Sequence, residues 1–228
     1  MRRLPLAVLF VVAIPSFTPS LSAQAPGKAS FDVYEKNRRV GTLETAVTRT
    51  ADGWRVQSST QTTGTVPVRI VNLELLYDRN WFGRWMTMEM KQPDDVIVHV
   101  AVLRTTAQTD VVRATEARFR SSSVSPNTIL RPERAYGAYE AVAARLAGGA
   151  ARDLPLFVPP VGETRAIVES VETERVRTTA GEISAQHYVL TEITGRPTRL
   201  DLWTHAGRML RLDLPATQIS VRRSDVRP

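Results

Sequence analysis

From Phe31 onward the chain alternates apolar and polar residues with a period of two, interrupted by turn signals about every 8–15 residues. Period two is the repeat of a β-strand, whose successive side chains point to opposite faces, so the chain is constrained first of all to a sheet. Trp54–Thr63 sets Trp54, Val56 and Ser58 against Arg55, Gln57 and Ser59. It follows Ala51-Asp52-Gly53, where Asp-Gly supplies the positive φ of a hairpin turn. Val96–Leu103 is apolar except for His99 and reads as a strand covered on both faces. The other strands expected before the middle of the chain are Phe31–Lys36, Val40–Thr50, Val66–Asp78, Trp81–Met90 and Asp110–Arg120. Those expected after it are Glu163–Arg177, Glu182–Thr194, Thr198–Thr204, Arg208–Leu214 and Thr217–Arg223.

The middle changes character. Glu133–Leu146 is rich in Ala and carries Tyr136, Tyr139, Val142, Ala143 and Leu146 at helical spacing, with Pro132 before it and Gly148-Gly149 after it. It reads as one central helix. Leu154–Pro160 has prolines that lack donors and reads as an extended apolar connector. The expected architecture is therefore α+β and mainly antiparallel. About eleven strands form a strongly curved sheet or half-barrel, with the helix on its concave side, because large sheets curl and one short helix cannot cover a flat one.

Arg2 and Arg3, the apolar run Leu4–Ile14 and the small residues Ser20, Ser22, Ala23 and Ala25 read as a secretory signal. The apolar run is about half the ~20 residues a membrane span needs. Cleavage is expected after Ala23, since a cut after Ala25 would place Pro26 at the scissile bond. That leaves a single β-rich domain over 24–228 in the periplasm or outside the cell.

Composition closes off much chemistry. The chain has 228 residues, 43% of them hydrophobic, and no Cys, which removes disulfide scaffolds, Cys-based zinc sites, iron–sulfur clusters, thiol nucleophiles and a lipid-modified N-terminal Cys. The formal net charge is +7, and removal of Arg2 and Arg3 lowers it by two. Of the 30 basic residues only Lys28, Lys36 and Lys91 are lysines. The arginines are dispersed rather than gathered into a stripe with interleaved aromatics, so no nucleic-acid partner is expected.

Several segments carry a resemblance. Gly41 stands two residues after Arg39, the central helix and Leu154–Pro160 follow, and the end reads Leu202-Trp203, Gly207-Arg208-Met209-Leu210-Arg211-Leu212 and Val221-Arg222-Arg223. In these features the chain resembles the DUF3108-like exported bacterial proteins of unknown function. These are similar in outline to the LolA-like periplasmic lipoprotein-carrier fold, in which a curved antiparallel sheet wraps a helix. The resemblance implies a carrier-like fold, and since the family has no established catalytic residues, none is carried over to this chain.

The residues themselves offer no enzyme motif. His99, His187 and His205 lie far apart with no metal spacing, and no G-x-S-x-G elbow occurs. Asp94-Asp95 is turn chemistry, and Glu169, Glu172 and Glu174 read as a solvated strand edge. Gly148-Gly149 follows a helix instead of opening one, the wrong polarity for an anion. No catalytic, metal or cofactor-binding residue is assigned, and no enzyme activity or cofactor is expected. What stands out is apolar: Trp81, Trp85, Met86 and Met88 load one segment with large soft side chains, while Tyr136 and Tyr139 carry hydroxyls that need partners at a cavity mouth or sheet rim. These six residues are the expected ligand-binding set. The expected function is a non-catalytic exported carrier for a lipid or other apolar molecule. The alternatives are an envelope scaffold acting through a protein partner, or an unrecognised hydrolase.

Overall fold

The computed structural model describes residues 26–114, 116–149 and 152–226. The signal segment and its cleavage site lie outside the described residues. Fifteen strands form one sheet: β1 (Gly27–Glu35), β2 (Arg38–Arg49), β3 (Gly53–Thr62), β4 (Val68–Asp78), β5 (Gly83–Gln92), β6 (Val96–Leu103), β7 (Thr106–Arg113) and β8 (Glu116–Ser123) come first. After them come β9 (Ile129–Leu130), β10 (Asp153–Val158), β11 (Gly162–Thr178), β12 (Gly181–Thr194), β13 (Arg196–His205), β14 (Arg208–Leu214) and β15 (Ile219–Arg223). One α-helix, α1 (Tyr139–Ala147), stands between β9 and β10.

The strand order is β8-β7-β6-β5-β4-β3-β2-β1-β15-β14-β13-β12-β11-β10-β9. Two meanders are thus joined where the first strand meets the last, with Val33 opposite Val221. All ladders are antiparallel except that of β9 with β10, and the sheet does not close on itself.

The structure corrects three expectations. Among the described residues there are fifteen strands rather than about eleven. The segment expected as Asp110–Arg120 is divided between β7 and β8 by a turn containing Ala114, whose φ is 48°, and Arg104 (φ 58°) serves the turn before β7. Neither turn carries the Gly or Asn that usually signals a left-handed residue, so neither announces itself. Leu154–Pro160 is not a connector, since Asp153–Val158 is β10, paired along its length with β11. Its other neighbour, β9, meets only Leu156 and Phe157, which leaves Pro155 on a partly open edge where a missing donor is tolerated. The helix is also shorter than Glu133–Leu146. Arg134 sits at φ 60°, a 3-10 turn covers Tyr136–Ala138, and only then does α1 begin.

Alternation assigns the faces. In β3, Trp54, Val56, Ser58, Thr60 and Thr62 are buried while Gln57, Ser59 and Gln61 are exposed. The buried face packs with Phe31, Leu43, Leu73, Met86, Leu190, Leu202 and Leu212 into one core that takes in nearly all of α1. A helix buried on almost every side must be contacted by more than one part of the sheet, and Glu140 shows how. Its carboxylate, fully buried, accepts bonds from Thr45 Oγ1 of β2 and from Arg208 and the Met209 N–H of β14, one strand from each meander. Gly137 permits the preceding turn to lie against β3, for a Cβ there would fall 2.3 Å from Ser58 Oγ.

Candidate functional site

Between the 3-10 turn and the sheet lies a partly open cavity of about 630 Å³. Its apolar wall comes from Val33 of β1, Val40 of β2, Val68 of β4, Leu214 and Ile219, and Tyr136 and Tyr139 face it from the turn and the start of α1. The two tyrosines are three residues apart and therefore share a helical face. Each is buried, and burial pushes the phenol of Tyr139 up to about 12 and that of Tyr136 upward as well, so both remain neutral O–H groups at ordinary pH. Among the described residues neither hydroxyl has a hydrogen-bond partner, whereas the Tyr77 hydroxyl donates to the Leu130 carbonyl at 3.0 Å.

Arg131 and Glu192 form the charged part of the lining. They are a buried, hydrogen-bonded ion pair, with the Arg131 guanidinium 6.0 Å from the Tyr139 ring. The segment carrying Arg131 is set by β9, and its backbone N–H donates to the Phe157 carbonyl of β10 at 2.9 Å. Burial pushes the Glu192 carboxyl upward, opposed by the neighbouring guanidinium. Glu133 and Arg134, Glu35 and Lys36 complete the ionic lining; the Glu35 carboxylate accepts the Thr65 N–H at 2.8 Å, which lowers its pKa. A second cavity of about 240 Å³ contains Met88, Met90, Val98 and Val111 and shares Glu133 and Arg134 with the first.

The six expected ligand-binding residues are therefore dispersed. Tyr136 and Tyr139 line the larger cavity, and Met88 lines the smaller one beside it. Met86 is fully buried in the core. Trp81 is not part of a strand. It takes φ 64° in the β4–β5 connection and stacks on Trp54 with ring centroids 4.9 Å apart, beside Tyr77. Trp85 alternates with Met86 and so lies on the opposite face of β5, half-buried. Arg131 and Glu192 escaped sequence reading because nothing local marks an ion pair between residues 61 positions apart.

On the other side of the sheet β11, β12, β13 and β14 assemble a polar cluster around His187. Its Nδ1 lies 2.7 Å from Glu174 Oε1 and its Nε2 3.1 Å from Asp201 Oδ1. Its ring stacks on Trp203 at 4.0 Å, and Trp203 Nε1–H donates to Glu174 Oε2 at 2.8 Å. Arg199 donates twice to Asp201, and Arg211 lies over the Trp203 ring. Glu174, expected on a solvated edge, is thus an anchor of this cluster. The turn at Gly195 was the available signal: counting back along the hairpin pairs His187 with Trp203. The two carboxylates occupy opposite ring nitrogens. Among the described residues no group of His, Asp or Glu is arranged to hold a metal ion, and no helix is long and apolar enough to cross a membrane.

Comparison of the chain with protein-family models, with curated proteins and with solved structures found no match.

Proposed function

We propose that the chain is an exported, non-catalytic binding or carrier protein for a lipid or other apolar molecule, in which the sheet curves as a half-barrel around α1. The observation that carries this reading is the 630 Å³ cavity, walled by aliphatic side chains and reached by two unpartnered tyrosine hydroxyls. Its volume falls within the ~300–1,000 Å³ typical of small-molecule sites, which combine an apolar lining with a few polar groups. The Met88–Met90 cavity adjoining it offers adaptable surface for an irregular ligand. Export follows from the Arg2–Ala25 pattern, and the family resemblance points the same way. The test is native mass spectrometry of protein purified without detergent, together with titration of an apolar fluorescent probe. Uptake that is abolished by Val68→Trp, which fills the cavity, is the expected result; a protein that carries no lipid and takes up no probe overturns the proposal.

A second reading, an envelope scaffold with a protein partner, is favoured by β8. This edge strand is exposed along almost its whole length and presents Phe119, 69% exposed, on an open ladder. Such an edge is a template for strand addition. Capture of a specific envelope protein that is lost on replacing Phe119 by Asp is the outcome this reading requires.

A further inference from the structure

We infer that the cavity selects an amphiphile with an anionic, oxygen-rich headgroup, held by the Arg131 guanidinium and the hydroxyls of Tyr136 and Tyr139. The inference rests on the carrier reading and adds the class of ligand.

The polar groups of the cavity leave hydrogen bonds unmade. A guanidinium has five N–H donors, and a buried charge is stable only when paired and hydrogen-bonded. Among the described residues the Arg131 side chain has one hydrogen-bond acceptor, Glu192, and its Nε is buried without one. Tyr136 and Tyr139 add two hydroxyls to the same cavity, also without partners among the described residues. Arg131 and the two tyrosines thus bring donors without a protein acceptor to a chamber that also has an aliphatic wall. A carboxylate or phosphate monoester accepts several hydrogen bonds at once and matches the planar fork of an arginine. A cationic headgroup would need a free buried anion. Glu192 is the carboxylate next to Arg131 and is already bound to it, while Glu35 is only half-buried and its carboxylate accepts the Thr65 N–H. Glu133 is the remaining acidic group of the lining and is exposed to solvent rather than buried. The acyl chain is accommodated by Val33, Val40, Val68, Leu214 and Ile219.

The experiment compares four probes on the purified chain by calorimetry: hexadecanoate, its methyl ester, hexadecyltrimethylammonium and inorganic phosphate. The expected order places hexadecanoate at least about 10-fold tighter than the ester, with the cation weaker still and phosphate alone unbound, since a hydrogen bond to a charged group is worth a factor of that size. Tyr139→Phe, which retains the ring and its packing, lowers hexadecanoate affinity by about 10-fold and leaves the ester unchanged. Arg131→Gln does the same more strongly, and the tyrosine variant keeps the inference testable if that protein fails to fold. Equal binding of acid and ester overturns the headgroup inference and leaves the carrier reading standing. Absence of binding by every acyl probe overturns both. Phosphate bound as tightly as hexadecanoate identifies a free-anion site and overturns the amphiphile.

Discussion

Glu140 in α1 and Arg208 in β14 face each other through two hydrogen bonds, Nε to Oε2 at 3.0 Å and Nη2 to Oε1 at 2.9 Å, with the carboxylate fully buried. Thr45 of β2 completes the contact at 3.1 Å, so one carboxylate links the helix to strands of both meanders. A buried carboxylate among four donors is satisfied, and removing its chief partner strands it. Arg208→Met is expected to destabilise the fold by about 3–5 kcal/mol, and the double replacement of Glu140 and Arg208 by methionine to restore much of that loss. Urea unfolding with a double-mutant cycle measures both. Additive losses would show that the pair is not a unit.

Gly137 bears on how closely the cavity's tyrosines approach the sheet. Gly137→Ala places a methyl group 2.3 Å from Ser58 Oγ and 2.6 Å from its Cβ. The expected cost of such overpacking is about 1–3 kcal/mol. Ser58→Gly in the same chain should recover part of it, because it removes both atoms. A neutral Gly137→Ala in thermal unfolding would mean that the turn slides away from β3 without loss.

Trp81 and Trp85 separate core from site. Trp81→Ala opens a void against Trp54 and Tyr77 and is expected to cost about 3–5 kcal/mol. Trp85→Ala, on the opposite face of β5, should leave uptake of an apolar probe unchanged. Probe titration checks this beside Val68→Trp, and a loss of uptake in the Trp85 variant would relocate the site.

The His187 cluster predicts an acid-sensitive contribution to stability. The Trp203 N–H donated to Glu174 holds that carboxyl below its ordinary value of 4.5, and His187 adds to the effect. A carboxylate whose pKa is lower in the folded than in the unfolded chain contributes stability above the unfolded value and loses it as pH falls through the folded one. The stability difference between the protein and Glu174→Gln should therefore shrink as pH falls below about 4.5. Thermal melts across this range decide it. A difference that persists to about pH 3 would assign the effect to packing rather than to charge.

Much of the fold was legible because strand periodicity is a local property. Trp54, Val56 and Ser58 alternate along the chain as they do across the sheet, and the Asp52-Gly53 turn lies where its dipeptide places it. Ala114 turns the chain without a turn residue and so divides one expected strand into two, while β9 and β10 lie in segments too short or too proline-rich to show a strand's alternation.

The candidate site was half legible. Tyr136 and Tyr139 could be picked out because an amphipathic tyrosine needs both a packed ring and a place for its hydroxyl, a requirement carried by the residue itself. Alternation likewise sets Met86 and Met88 apart from Trp85. The sequence by itself determined an antiparallel sheet with one buried helical segment and no cysteine chemistry, because these depend on period, turn residues and composition. Only the tertiary structure decided that β1 meets β15, that Glu140 binds Arg208, and that Arg131 meets Glu192 beside the two tyrosines. Those contacts join residues far apart in the chain, and their energies depend on distance and burial, which no local pattern encodes.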